Sequence, residues 1–193
     1  TYGRPLYTTS GKYGGGYSFN GVDDYIEVPY SDVFNIGATG KLTICVWAYP
    51  KLVGDKWRTV ISKNRQSESM SDWYGIWASP DTPSYWHFRS GTETTNTVKI
   101  ELNKWVFLCM VTRRNGTVEC YINGELNETF TDNSTDANYE LRIGHAASTS
   151  EYFNGTIDEV RIYNRALSAE EIRMHYLSEF SRYNSTEWRF YDN

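Results

Sequence analysis

The sequence predicts an all-β protein, a sandwich or barrel, with one short helix late in the chain. Three observations carry this. Short runs rich in β-branched and aromatic residues recur along the chain, and many alternate apolar with polar positions. Asn-Gly pairs and a glycine cluster punctuate them, as turns require. One stretch near the C-terminus carries the start signals of a helix.

The strand-like runs cover 17–19, 25–28, 42–49, 59–62, 74–78, 86–89, 98–100, 105–112, 117–122, 141–143 and 156–163. Asn20-Gly21, residues 37–40, Asn115-Gly116 and Asn123-Gly124 mark turns between them. In "LTICVWAY" (42–49), Leu42, Ile44, Val46 and Ala48 alternate with Thr43, Cys45, Trp47 and Tyr49. Both sets are apolar enough for a central strand covered on each face. "WVFLCMVT" (105–112) reads the same way.

The helix signal is "LSAEEI" (167–172), a capping box in which the Ser168 hydroxyl bonds the Glu171 amide and Glu171 reaches back. Leu167 and Ile172 flank it as a hydrophobic staple, and Ile172, Tyr176 and Phe180 form a stripe one face wide. The expected helix runs over about 169–180. A final strand is expected near 187–191, where "STEWRFYDN" (185–193) sets Trp188 and Phe190 on one face.

At 193 residues the chain is the size of one domain, and 22% charged with 39% apolar residues excludes a disordered chain. No run reaches the ~20 apolar residues of a membrane span, so no membrane insertion is expected. A net charge of −5 without a basic run argues against nucleic acid. No signal peptide is visible, so export would imply that it has been removed. Aromatic residues reach 16%, with 16 Tyr and 7 Trp, which suits half-exposed sheet faces and binding surfaces.

Cys45, Cys109 and Cys120 are an odd set, expected as buried free thiols. A two-residue turn at Asn115-Gly116 would put Cys120 opposite Val111 and diagonal to Cys109, about 7–8 Å away and too far for an unstrained bridge. Asn-x-Ser/Thr sequons at Asn115, Asn127, Asn133, Asn154 and Asn184 exceed chance and lean towards a secreted glycoprotein.

Two stretches, "GKYGGGYSFNGVDDYIEVP" (11–29) and "FNGTIDEVRIYNRALSAEEI" (153–172), resemble LamG-like jelly-roll domains of the concanavalin A-like lectin/glucanase superfamily. The piece "KWVFLCMVTRRNGTVECYINGEL" (104–126) resembles that family's central hairpin. The resemblance implies a jelly roll of two antiparallel sheets, one concave, in a domain over 1–183. Such domains commonly open with a Trp-x-Phe-Asp strand beside the Ile-Asp-Glu-Val strand. Here the first ten residues do not supply it, whereas the C-terminal segment 184–193 resembles it. That strand would fold back into its own domain, begin a second repeat, or be donated to a neighbour and build a homo-polymer.

The resemblance also implies a structural calcium ion. Asp158 stands at a motif position that often supplies a carboxylate, and Gly21, Asp23 and Asp24 would complete the site with oxygen ligands. For glycan binding, "SDWYGIWASPDTPSYWHF" (71–88) concentrates aromatic residues. Trp73, Tyr85 and Trp86 are candidate platforms, with Trp57 from a polar loop. Asp72, helped by Asp81 and His87, would accept or donate hydroxyl hydrogen bonds, while Trp77 is expected in the core. No strand carries paired carboxylates of the glucanase kind, and no His has a nucleophile partner in a recognisable motif, so no enzyme activity is expected. The expected function is adhesion or recognition of a glycan or surface protein, outside the cell or on a cell or virion surface. The alternative is a structural subunit of a filament or virion, joined through residues 185–193.

Overall fold

The structure, a computed structural model, describes residues 3–36, 40–63, 73–135, 138–146 and 150–177, together with the backbone of 181–182 and 188–189. In chain order the strands are β1 (Leu6–Gly11), β2 (Gly14–Asn20), β3 (Ile26–Val28), β4 (Leu42–Pro50), β5 (Arg58–Lys63), β6 (Tyr74–Ala78) and β7 (Tyr85–Ser90). They continue with β8 (Glu93–Lys99), β9 (Val106–Thr112), β10 (Thr117–Ile122), β11 (Glu125–Thr131), β12 (Leu141–Ile143) and β13 (Asn154–Tyr163). Helix α1 (Ala169–Leu177) and the short pair β14 (Ser181–Arg182) and β15 (Trp188–Arg189) follow.

Two antiparallel sheets form the jelly-roll sandwich. The seven-stranded sheet has the order β1-β2-β13-β4-β9-β10-β11, and the six-stranded sheet β3-β12-β5-β6-β7-β8. Ile44, Val46, Leu108 and Met110 of the first interdigitate with Ile61, Ile76, Phe88 and Leu141 of the second. The other face of the seven-stranded sheet is also buried: Cys45, Trp47, Phe107, Cys109 and Val111 lie against Leu167 and Ile172. Double coverage explains why β4 and β9 are apolar at nearly every position.

The capping box forms as expected, with the Glu171 amide donating to Ser168 Oγ at 3.2 Å and the Ser168 amide to Glu171 Oε2 at 2.9 Å. Thr43 on β4 stitches the preceding loop down, donating to the Arg165 carbonyl and accepting from the Leu167 amide. Tyr176 stacks on Trp47 with ring centroids 5.6 Å apart. Phe180 lies outside the described residues.

Three differences from the sequence reading have physical causes. Strands β1, β11 and most of β8 carry no clear sequence signal, and all three are edge strands. They bury few side chains, so no apolar alternation is imposed on them. The β9–β10 turn holds three residues rather than two: the Arg113 amide donates to the Thr117 carbonyl, and Gly116 takes φ 78°. Cys120 therefore faces Met110 rather than Val111. The C-terminal strand, finally, does not run beside β13. β2 and β4 flank β13, and β15 pairs with β14 just before it in the chain. That pairing is internal and lends no support to a homo-polymer through 185–193; Phe190 lies outside the described residues, as does the side chain of Trp188.

Candidate functional site

Strand β7 alternates strictly, with Trp86, Phe88 and Ser90 buried and Tyr85, His87 and Arg89 half-buried on the outer face of the six-stranded sheet. Register carries that face across the sheet. Trp77 and Gly75 of β6 stand opposite His87 and Arg89. Thr59 and Ser62 of β5 stand opposite Trp77 and Gly75, and Asn96 and Thr94 of β8 opposite His87 and Arg89.

Trp57, from the loop before β5, and Trp73, just before β6, wall this face. With Trp77, His87 and Arg89 they line a cup of about 100 Å³. Gly75 makes the floor possible: a Cβ there would collide with the Ile61 carbonyl and lie 3.0 Å from the Trp77 ring. The Trp57 ring meets His87 edge-on at 4.7 Å, and the Arg89 guanidinium sits 4.7 Å over the Trp73 ring. The Arg89 Nε–H also donates to the Gly91 carbonyl at 2.7 Å.

The His87 ring is held by Asn96 Oδ1 at 2.8 Å and by the Thr94 hydroxyl. Burial pushes its pKa below the usual histidine value, and nearby Arg89 adds to the effect, so the ring is neutral at physiological pH. Beside the cup, Trp77 Nε1 and Thr59 Oγ1 are buried without a hydrogen-bond partner among the described residues, as is Arg142 Nε at the far end of the face. Trp77 and Thr59 belong to one cross-strand pair. The indole offers a donor only; the hydroxyl can donate or accept.

The far end of the same face is closed by its own contacts. Arg142 on β12 pairs with Glu27 at 3.0 Å and Glu140 at 2.9 Å, over the Tyr25 ring. His145 stacks on Tyr152, centroids 4.0 Å apart. A larger cleft of about 390 Å³ opens between the sheets, lined chiefly by Phe19, Ile26, Ile143, Ile157 and Val160. It is the roomier space, with Tyr17, Asp158, Glu159 and Arg161 also on its wall, but Arg161 pairs with Glu159 and Asp158 accepts from two backbone amides, so its charged groups are already engaged.

Of the expected ligand residues, Trp57 and Trp73 reach the cup, and Tyr85 lies on the same face without lining it. Trp86 does not: it is 2% exposed within the inter-sheet core. Trp77 is buried as expected, 2% exposed, and an edge of its ring also lines the cup. The correction for Trp86 follows from which parity of β7 faces inward. Asp72 lies outside the described residues. Arg89 and Thr59 went unread, although the alternation of "YWHFRS" (85–90) does place Arg89 on the face of His87.

The expected calcium ligands do not fit one ion. Asn154 pairs with Asn20 at the head of the Asp23–Asp24 turn, and Asp158 is four residues further along β13, about 13 Å at strand rise. Asp158 accepts instead from the amides of Tyr13 and Glu159. Asp24 accepts from the Asn20 amide, and Asp23 from the Asn20 side chain. The Gly21 carbonyl accepts from Nη1 of the buried Arg58 at 3.2 Å, which sets a fixed cation beside this turn. Among the described residues no three His, Cys, Asp or Glu cluster for a metal.

Asn115 and Asn127 expose their side chains. The nitrogens of Asn133 and Asn154 are engaged, on Thr92 Oγ1 at 2.5 Å and the Asn20 carbonyl at 2.9 Å. Asn184 lies outside the described residues. No helix among those residues is long and apolar enough to cross a membrane.

Fold and site together define a two-sheet sandwich with an aromatic cup on one outer face. Comparison with known families makes the class specific. The model described as the concanavalin A-like lectin/glucanases superfamily matches residues 20–173, and the chain belongs to that superfamily. No curated protein matches the sequence. Among solved structures, the chain is similar to domain 4 of AbnA, a GH43 extracellular arabinanase from Geobacillus stearothermophilus, in complex with arabinotriose. The TM-score is 0.68 and the identity 24%, over 89% of this chain and 80% of that one. It is also similar to a Trypanosoma rangeli sialidase (TM-score 0.68, 14% identity, 91% of this chain and 29% of that one). A third is the botulinum neurotoxin serotype G binding domain (TM-score 0.62, 17% identity, 91% and 45%). The chain thus spans less than half of the latter two, and at these identities the likeness speaks for the fold.

Proposed function

We propose that this chain is an extracellular, non-catalytic recognition module that binds a glycan on the outer face of its six-stranded sheet. The observation that carries the reading is the pairing of Trp77 Nε1 and Thr59 Oγ1, buried and unpartnered among the described residues, on the face of an indole-walled cup. A buried polar group without a partner costs about 1–3 kcal/mol. Both atoms are shut off from solvent here, so a ligand hydroxyl, which both donates and accepts, relieves that cost once the Trp77 ring shifts to admit it. Trp57 offers an aromatic plane for the apolar face of a sugar ring, and Arg89, lying over the buried Trp73 ring, supplies a polar edge.

The cup is smaller than the ~300–1,000 Å³ of pockets that enclose a whole small molecule. One ring of a glycan would therefore seat in it while the rest lies along the sheet. Glycosidic hydrolysis uses two carboxylates; three indoles, an imidazole and a guanidinium line this cup, which suits binding. The complex of the arabinanase domain with arabinotriose is consistent with a sugar ligand on this fold. Exposed sequons at Asn115 and Asn127 support placement outside the cell.

Glycan-array screening followed by calorimetry on the best hit tests the proposal. Trp57→Ala should weaken that hit about tenfold or more, equivalent to ~1.4 kcal/mol of lost contact. An array with no hit, or a hit indifferent to Trp57→Ala and Trp77→Phe alike, overturns it.

A further inference from the structure

Cys45 on β4 and Cys109 on β9 are direct partners in the antiparallel ladder, between the pairs Ile44–Met110 and Val46–Leu108. Both are 0% exposed, and their sulfurs lie 2.6 Å apart. Directly opposed Cα atoms in such a ladder are about 4.5 or 5.5 Å apart, and disulfides span about 4.4–6.8 Å. Either kind of pair can therefore hold a bridge without moving the strands. Cys120 is excluded: it belongs to the core between the sheets, whereas Cys45 and Cys109 belong to the cluster beneath α1.

We propose that Cys45 and Cys109 are a disulfide site, closed in an oxidising compartment while the chain folds, with Cys120 kept as a thiol. The oxidant is a small-molecule disulfide such as oxidised glutathione. Two protein thiols lose two electrons and two protons; one S–S bond forms in the protein, one breaks in the oxidant, and two small thiols leave. The bond joins β4, the central strand of the seven-stranded sheet, to its neighbour β9 and closes a separation of 64 residues. Exchange proceeds through a thiolate. In the folded chain Leu167, Ile172, Trp47 and Phe107 cover the pair. Burial there pushes the Cys109 thiol far above its ordinary pKa, leaving it protonated. Exchange is thus blocked once α1 has docked, and the bond is set by the conditions of folding rather than those met later.

The test refolds the full chain from denaturant and reductant into a glutathione redox buffer, isolates folded monomer, and alkylates it under denaturing conditions before intact-mass measurement. One alkylated cysteine and a mass 2 Da below the reduced backbone are expected, with peptide mapping joining Cys45 to Cys109. Cys120→Ser should keep the bridge and take no alkylation, whereas Cys45→Ser should take two. Reduced protein folded first and then given the same oxidant should stay at three. Three alkylations after oxidative refolding, or a bridge to Cys120, overturn the site. Rapid oxidation of the folded reduced chain overturns the timing.

Discussion

Thr59 and Trp77 face each other across β5 and β6, and each buries a polar atom with no partner among the described residues. Two such groups in one cross-strand pair work against stability unless something outside the described chain meets them. Trp77→Phe removes the orphaned N–H while keeping an aromatic ring. Thermal unfolding should show stability held or raised by up to ~1 kcal/mol, the lost donor offsetting the smaller ring. Calorimetry should show glycan affinity falling about tenfold. A parallel loss of both would make Trp77 a plain packing residue.

Gly75 sits where a side chain would strike the Ile61 carbonyl and press on Trp77. Gly75→Ala should cost about 1–3 kcal/mol in urea unfolding, the usual range for overpacking. It should also weaken glycan binding, because the shifted indole deforms the cup. Unchanged stability would mean that the strand yields there without strain.

The capping box ties Ser168 to Glu171 through two hydrogen bonds. Ser168→Ala should destabilise the protein by about 1 kcal/mol. Tyr176→Ala should cost more, because it strips the stacking partner from Trp47. Denaturation midpoints of the two variants check the order. Neither change should touch glycan affinity, since α1 covers the opposite sheet.

Acid should weaken the fold in the range where histidines charge. Burial lowers the pKa of His87, and burial with Arg161 lowers that of His175, whose Nδ1 accepts from that guanidinium at 2.8 Å. The unfolded chain takes up these protons near pH ~6.5, before the folded one does. Stability is therefore full above about pH 6.5 and declines as pH falls from there to the lowered folded values. Melting temperatures from pH 8 to 5 should show a plateau and then a descent. His87→Gln should flatten part of that descent.

Residues whose environment is set locally were legible in the chain. Ser168 and Glu171 meet because they are three apart at a helix start, and Leu42 to Ala48 are apolar on both parities because both faces are covered. The central strands followed. Edge strands β1, β8 and β11 did not, since exposure removes the pattern that would reveal them.

The chain alone thus determined a two-sheet sandwich with a capped helix and an aromatic-rich segment around 73–89. Which indoles face outward was decided by the tertiary structure, because register across β5, β6, β7 and β8 sets the shared face. Alternation says that Trp86 and His87 point opposite ways, but not which way is in. Cys45 and Cys109 became partners for the same reason, 64 residues apart. Asp158 and the turn holding Asp24 were kept apart because that turn follows the Asn20–Asn154 pair, four residues from Asp158 along β13. Short-range signals carry conformation; only long-range pairing brings side chains of distant strands to one place.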